Sequence, residues 1–178
     1  MAKNKMQVAI ITGSDSDLPV ISSSAKILEE FGISYKITVA SAHRTPKKVK
    51  NYVKSSERNG AEVFIAAAGM AAALPGVVAS ETTLPVIGVP LESKGLAGID
   101  ALFSIVQMPP GIPVGTVAIG KAGATNAGIF AVQILALKYP KLKAKLAIYR
   151  RNMAKTIENK DIRLQKMGIK RYIEKLQN

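Results

Sequence analysis

Residues 7–17, QVAIITGSDSD, carry the pattern from which the fold class follows. The run before Gly13 is apolar and rich in β-branched residues, which favours a short buried strand. After this glycine, Asp17 can cap a helix that has Pro19 near its start and Gly32 at its end. A strand that leads through a short loop into a helix is the repeating unit of α/β proteins. The first unit therefore predicts an α/β fold.

The same alternation continues to residue 138. A second helix is expected with Thr45 as its N-cap and Pro46 as its first residue, ending before Gly60. The predicted strands span residues 7–12, 33–40, 61–67, 84–89 and 114–119. The later helices span residues 71–80, 98–106 and 124–137. These apolar runs are too continuous for strands with one face in water, so they predict a parallel sheet that helices cover on both sides.

The composition is that of one globular domain. The chain has 178 residues, of which 48% are hydrophobic and 21% charged, enough apolar material for a large core. No uninterrupted apolar run reaches the ~18 residues of a membrane span, and residues 1–6 do not resemble a signal peptide. We expect a cytoplasmic protein with no membrane partner. The absence of cysteine excludes disulfides and thiolate chemistry, and a single histidine argues against a catalytic zinc site, so no metal is expected.

The net charge of +13 is concentrated at the C-terminus. Residues 138–178 hold 13 Lys or Arg against 3 acidic residues, which leaves a net charge of only +3 for the 137 residues before them. A basic tail on a nearly neutral body could bind nucleic acid, but few aromatic side chains stand among its charges to stack on bases. We therefore favour a solvated basic helix face and expect no nucleic-acid partner, with nucleic-acid binding as the alternative.

Residues 141–178 are predicted to form a helical extension of the α/β domain, which spans residues 1–140. Apolar side chains recur there at spacings of three and four, at Leu142, Leu146, Tyr149, Met153 and Ile157. Such a stripe must be covered, and we expect it to pack on a neighbouring subunit. Cover by the subunit's own core is the alternative. Gly168 should interrupt the extension.

In a parallel sheet the loops that leave the carboxyl ends of the strands meet at one edge. Four such loops are predicted, at residues 13–17, 40–45, 68–76 and 90–98. The first offers the hydroxyls of Ser14 and Ser16 to an anion and the carboxylate of Asp17 to a ribose diol, although such turns often serve only as helix caps. Arg44, in the second loop, suits a phosphate. No Gly-x-Gly-x-x-Gly or Walker motif is present, so a small phosphorylated sugar fits better than a dinucleotide.

His43 is the only histidine of the chain and lies in the second of these loops, within SAHRTP (residues 41–46). A lone histidine is commonly an ordinary surface or core residue. In a chain without cysteine, however, it is the only kind of side chain whose unperturbed pKa suits proton transfer near neutrality. Loops after strands are also where α/β folds place their chemistry. His43 is therefore the candidate general acid and base.

Taken together, these motifs resemble the N5-carboxyaminoimidazole ribonucleotide mutase family of purine biosynthesis. The matching stretches, in the family's order, are GSDSD (13–17), SAHRTP (41–46), LPG (74–76), PVIGVP (85–90) and SIVQMPPGIPVGT (104–116). The resemblance implies a three-layer α/β/α, flavodoxin-like subunit and a homo-octamer with active sites at subunit junctions. It also implies a reaction that moves a carboxyl group from the exocyclic carbamate nitrogen of a ribonucleotide to carbon 4 of the imidazole, without metal, ATP or biotin. Close relatives of the family are aminoimidazole ribonucleotide carboxylases, which use free carbon dioxide.

The resemblance also implies the roles of individual residues. His43 is expected to be catalytic. The expected substrate-binding residues are Ser14, Ser16, Asp17, Ser41, Ala42, Arg44, Ala68, Gly69, Met70, Ala71 and Leu74. Among them, the apolar stretch that ends at Leu74 is expected to form a small, dry wall around the carboxyl group.

Residues 69–76, GMAAALPG, depart from the family's usual GGAAHLPG. One glycine is replaced by Met70, and a second familiar histidine is replaced by Ala73. This departure leaves the choice between mutase and direct carboxylase open. The same stretch is also similar to a family that carboxylates a pyridine dinucleotide, but that family relies on a cysteine and this chain has none.

Overall fold

The structure is a computed structural model that describes residues 6–177. The strands are β1 (Val8–Thr12), β2 (Tyr35–Val39), β3 (Val63–Gly69), β4 (Val86–Leu91) and β5 (Gly115–Thr116). The helices are α1 (Leu18–Phe31), α2 (Pro46–Arg58), α3 (Leu74–Ser80), α4 (Ile99–Val106), α5 (Gly120–Ala136), α6 (Pro140–Met167) and α7 (Ile169–Gln177). All strand pairs are parallel, and the strand order is β2-β1-β3-β4-β5. This is the flavodoxin-like order, so the predicted fold class is confirmed.

Strand β1 shows why the sequence forms three layers. Its side chains alternate between the two faces of the sheet, and all five residues are buried. Val8 and Ile10 join the core beneath α1 and α5, whereas Ala9 and Ile11 join the core beneath α2, α3 and α4. A strand that is covered on both faces needs an uninterrupted apolar run, which is what residues 8–11 supply.

The ends of the first two helices agree with the cap residues in the sequence. Gly32 follows α1 with φ at 72°, a left-handed conformation that glycine adopts at little cost, and its N–H donates to the carbonyl of Leu28. Thr45 is the N-cap of α2 and Pro46 its first residue, as predicted. The Thr45 hydroxyl does not cap the helix, however. It donates to the carbonyl of Ser41 at 3.2 Å and thereby closes the preceding loop.

Several element boundaries differ from those predicted. Strand β5 is limited to Gly115–Thr116, because the chain then folds back over the first turn of α5, which begins at residue 120 instead of 124. The approach is so close that a Cβ at Gly123 would lie 1.5 Å from the Ala118 carbonyl oxygen. Helix α3 begins at Leu74 instead of residue 71, with Pro75 in its first turn, where a missing N–H costs nothing. Strand β4 continues through a proline to Leu91 instead of ending at residue 89.

Helix α6 covers part of the subunit's own core. Leu142 is buried, and Leu146 and Tyr149 pack against the same cluster, with the Tyr149 ring centroid 5.5 Å from that of Phe31. The stripe on α6 continues beyond this contact to Met153, which is 54% exposed, and to Ile157, which is 63% exposed. Gly168 separates α6 from α7, as the sequence indicated. None of the helices within residues 6–177 has the length and apolarity needed to cross a membrane.

Tyr52 on α2 joins the helix to the sheet. Its hydroxyl lies 3.0 Å from the carbonyl oxygens of both Ile10 and Lys36, to which it can donate. Burial is the main cause that raises the pKa of Tyr52 to about 12. Because an unfolded tyrosine ionises near pH 10, the folded chain holds this proton more tightly than the unfolded chain between pH 10 and 12.

Tyr52→Phe is expected to make stability less sensitive to alkaline pH. At pH 8 the wild type should be more stable by about 1–2 kcal/mol, since the variant leaves backbone carbonyls without their donor. That advantage should shrink by on the order of 2 kcal/mol as the pH rises from 10 to 12, where the unfolded wild type gains stability by ionising. Urea unfolding at several pH values measures both quantities. A constant difference between the two proteins across this window would contradict the raised pKa.

Candidate active site

A cavity of about 930 Å³ lies at the carboxyl edge of the sheet, between the loops after β1, β2, β3 and β4. Every predicted site residue except Ala42 lines it. The volume is within the range of small-molecule pockets, about 300–1,000 Å³. Because the strand order is β2-β1-β3-β4, the serine-containing loop after β1 lies between the loop after β2 and the loop after β3. His43 and Arg44 are on one side of it, and the apolar loop after β3 is on the other.

The loop after β1 is ordered by its own hydrogen bonds. Ser14 Oγ accepts from the backbone N–H of Ser16 at 3.3 Å and from the Ser16 hydroxyl at 2.8 Å. Asp17 Oδ2 accepts from the backbone N–H of Ser14 at 3.1 Å and from the buried hydroxyl of Thr12 at 2.7 Å. Asp17 Oδ1 receives only a 3.5 Å contact from Ser16 Oγ, so this oxygen has capacity left for a ligand hydroxyl.

The loop after β2 is a tight turn that presents its two basic residues. Thr45 Oγ1 accepts from the Ser41 N–H at 2.9 Å, and Ser41 Oγ accepts from the Arg44 N–H at 3.2 Å. Arg44 Nη2 donates to the carbonyl of Gly13 at 3.3 Å, which joins this turn to the serine loop. The side chains of His43 and Arg44 are exposed on the cavity. Ser41 therefore acts in this structure by shaping the turn that carries both.

The loop after β3 forms an apolar wall. Ala68, Ala72 and Leu74 are buried, whereas Met70 is 68% exposed and has φ at +57°. Ala73 also lines the cavity and is the N-cap of α3, with its carbonyl accepting from the Val77 N–H. Apart from the weakly accepting sulfur of Met70, no side chain from residue 68 to residue 74 carries a hydrogen-bonding group, so the donors that the wall can offer a ligand are backbone N–H groups.

Ala42 is the predicted site residue that does not line the cavity. Its side chain packs against the core cluster on the α2, α3 and α4 side of the sheet. In a tight turn, successive side chains point in different directions. The turn that exposes His43 and Arg44 thus directs their neighbour towards the core.

The loop after β4 supplies residues that were not predicted for the site. The lining includes Glu92, Ser93, Lys94 and Asp100, of which Ser93 donates its hydroxyl to the Asp100 carboxylate at 3.1 Å. This loop also contains Ala97. Within residues 6–177, Ala97 and Met70 are the non-glycine residues with a positive φ. The loop after β4 is among the four that the sequence places at the edge of the sheet, but none of its residues was assigned to the site, although three polar residues directly after a buried strand were a signal for them.

The charges of the cavity favour an anionic ligand. Asp17 and Asp100 already accept hydrogen bonds from Thr12 and Ser93, whereas the Glu92 carboxylate lines the cavity without a hydrogen bond or ion pair within residues 6–177. Lys94 has no hydrogen bond or ion pair with any residue in the described range 6–177, and most of the five donors of Arg44 are similarly unused. The cavity thus combines uncommitted cations, one imidazole and an apolar wall. Across residues 6–177, no group of three or more His, Cys, Asp or Glu side chains is placed to hold a metal ion.

Comparison with known proteins places this site in a family. The sequence model of AIR carboxylase matches residues 7–156. An N5-carboxyaminoimidazole ribonucleotide mutase from Pyrococcus horikoshii is 56% identical over 173 residues, which are 97% of this chain and 97% of the relative. An N5-carboxyaminoimidazole ribonucleotide mutase from Thermotoga maritima is 55% identical over 167 residues, 94% of this chain and 96% of the relative.

The fold agrees with the same relationship. A crystal structure of Treponema denticola PurE superimposes with a TM-score of 0.80 at 31% sequence identity, covering 89% of this chain and 98% of that one. The sequence match includes all four loops of the cavity and ends within α6. The chain therefore belongs to the AIR carboxylase family.

Proposed function

We propose that this protein is an N5-carboxyaminoimidazole ribonucleotide mutase, an isomerase of purine biosynthesis. The observation that carries the proposal is the cavity itself, where the chain's one imidazole faces the same space as the serine hydroxyls, the Arg44 guanidinium and an apolar wall. Relatives with this name that are 55–56% identical over nearly the whole chain support it. The substrate is a ribonucleotide whose exocyclic amine carries a carboxyl group as a carbamate.

His43 moves the proton in the proposed mechanism. A carbamate loses carbon dioxide readily once its nitrogen is protonated, so the imidazolium of His43 donates its proton as the nitrogen–carbon bond breaks. Carbon 4 of the imidazole ring then attacks the carbon dioxide and forms the new carbon–carbon bond. The proton that carbon 4 loses returns to His43. The reaction is an isomerisation in which atoms and electrons balance, so its chemistry calls on no oxidant, ATP or biotin.

The two polar loops bind the nucleotide. Ser14, Ser16 and Arg44 hold the phosphate with hydroxyl, backbone and guanidinium donors. Asp17 accepts from the ribose hydroxyls through Oδ1, the oxygen that the loop leaves free of short contacts. The Ser41 hydroxyl supports the Arg44 backbone and so fixes the approach of the guanidinium.

The wall of residues 68–74 confines the carbon dioxide. Ala68, Gly69, Ala71 and Leu74 exclude water from the place where the carboxyl group transfers, and backbone N–H groups are the donors left for its oxygens. Confinement replaces covalent capture of the intermediate.

A direct aminoimidazole ribonucleotide carboxylase is the second candidate. Ala73 favours it, because the wall lacks the polar side chain that mutases of this family usually present there. One assay separates the two functions. The enzyme is incubated with the carbamate nucleotide or, separately, with aminoimidazole ribonucleotide and bicarbonate. A mutase consumes the first at low concentration and the second only at high bicarbonate; the reverse preference would reject the mutase proposal. If neither nucleotide binds, a structural role without catalysis would replace both candidates.

We also propose a homo-octamer, in which the basic C-terminal helices pack on neighbouring subunits. Two uncovered apolar faces support this assembly. On α4, Ile99, Phe103 and Val106 are 49–57% exposed at helical spacing. On α6, Met153 and Ile157 extend the stripe past the region that the subunit's own core covers.

The double variant Met153→Gln and Ile157→Gln is expected to shift the particle to smaller species in light scattering, because it removes apolar area that the interface would bury. Leu142, Leu146 and Tyr149 are untouched, so the subunit core keeps its cover. The matched control is Lys155→Gln with Glu158→Gln, which changes the same helix off the stripe without altering net charge. An unchanged particle size for the double variant would reject this packing.

The cellular location of the protein and the absence of a nucleic-acid partner stay predictions. We propose that the enzyme works in the cytoplasm and binds no nucleic acid. Removing residues 160–178 separates the two interpretations of the basic tail. If the tail is a solvated helix face, the full chain should not bind polyanions and the truncated chain should keep its nucleotide turnover. Polyanion binding that is lost on truncation would favour the nucleic-acid alternative.

A further inference from the structure

Met70 lies at the end of β3, where it occupies an unusual position. Its φ of +57° is in the left-handed region that glycine favours, and its side chain is 68% exposed where it lines the cavity. A bulky residue rarely adopts this conformation, because its Cβ then crowds the carbonyl oxygen. A large apolar side chain exposed to water is a second unfavourable feature. Both the backbone conformation and the exposure of Met70 are therefore unfavourable for folding, and a glycine at this position would avoid both.

The neighbours of Met70 do not offset these costs. With 68% of its surface exposed the Met70 side chain gains little from packing, and its sequence neighbours Gly69 and Ala71 offer almost no side-chain surface. Strained backbone tends to persist where the strained residue serves a binding or catalytic site. The uncovered face of Met70 borders the cavity, so the ligand of the cavity is the partner that can bury it.

We propose that Met70 folds over the bound nucleotide and retains the carbon dioxide released there. This inference rests on the proposed mutase function. The thioether side chain has three rotatable bonds and is polarisable, so it can pack against a planar imidazole ring and close the gap beside it. Carbon dioxide freed by cleavage of the carbamate nitrogen–carbon bond then reacts with carbon 4 before it escapes to water.

Methionine oxidation by dilute peroxide tests the contact directly, with aminoimidazole ribonucleotide as the probe. At a nucleotide concentration ten times Kd, oxidation of Met70 should slow by up to about 10-fold, because only about a tenth of the protein remains free. Met153 on α6 lies away from the cavity and is the matched control, since its oxidation rate, whatever value the proposed subunit packing gives it, should not change when the nucleotide is added. If Met70 is already protected from oxidation without nucleotide, a second copy of this chain covers it instead of the ligand. This result would overturn the proposal.

The same measurement separates this inference from the proposed function. If calorimetry shows that the nucleotide binds but Met70 oxidises at its free rate, the inference is wrong and the proposed function stands. If the nucleotide does not bind, both fail.

Label retention then tests what the side chain does. The carbamate nucleotide carries a carbon label in its carboxyl group, and turnover proceeds in unlabelled bicarbonate. Met70→Ala and Met70→Gly should both lose most of the label from the product, because both open the wall, whereas Met70→Leu should restore retention. The glycine variant also removes the strain, so its thermal midpoint should stay within about 2–4 °C of the wild type, which excludes misfolding as the cause. Full retention in the alanine and glycine variants would overturn the proposal.

Discussion

His43→Asn is expected to reduce turnover of the carbamate nucleotide by at least ~10²-fold, the usual contribution of a general acid and base. Asparagine has a similar size and keeps an N–H donor, but it cannot exchange a proton near neutral pH. In the proposed mechanism one imidazole performs both proton transfers, so the loss affects cleavage of the carbamate as well as loss of the proton from carbon 4. Steady-state turnover at saturating substrate measures the effect.

Binding separates a catalytic role of His43 from a structural one. His43 makes no hydrogen bond with the other residues that the structure describes, so its replacement should leave the turn held by Ser41 and Thr45 intact. Calorimetry with aminoimidazole ribonucleotide should therefore give nearly the wild-type affinity. Turnover close to normal in His43→Asn would show that another group moves the proton, and Lys94, which also lines the cavity, would be the next candidate.

The fold could be predicted because its local signals agree with one another. Residues 8–11 are apolar without interruption, which fits a strand covered on both faces, and Gly32 and Pro46 mark helix ends by conformational preferences of their own. The boundaries that differed are set by backbone geometry that the apolar pattern does not show. At the start of α5, for example, the Ala118 carbonyl lies so close to residue 123 that only a glycine fits there.

The site was predictable where chemistry and topology coincide. Ser14, Asp17, His43 and Arg44 are polar residues at the carboxyl ends of β1 and β2, and pairing of those strands brings the two loops together. The direction of a side chain within a turn is harder to predict. Ala42 and His43 are neighbours in sequence, yet one packs on the core and the other faces the cavity.

The position of Met70 shows another limit of the sequence. Its replacement of a family glycine is visible in the sequence, but the φ of +57° that makes the replacement costly is visible only in the structure. The stripe on α6 is a third case. Its periodicity predicts one apolar face, whereas the structure divides that face into a part on the subunit's own core and an exposed part.

Arg44→Ala is expected to weaken nucleotide binding by roughly 10- to 150-fold, because a charge-assisted hydrogen bond to phosphate contributes about 1.5–3 kcal/mol. One guanidinium N–H already donates to the Gly13 carbonyl, which places the remaining donors beside the serine loop. Arg58→Ala is the matched control, since it removes the same charge from the C-terminal end of α2, the helix that follows Arg44, away from the cavity. Calorimetry with the nucleotide and with its dephosphorylated nucleoside completes the test. The Arg44 variant should lose affinity for the first far more than for the second. Equal losses, or none, would show that the phosphate lies elsewhere.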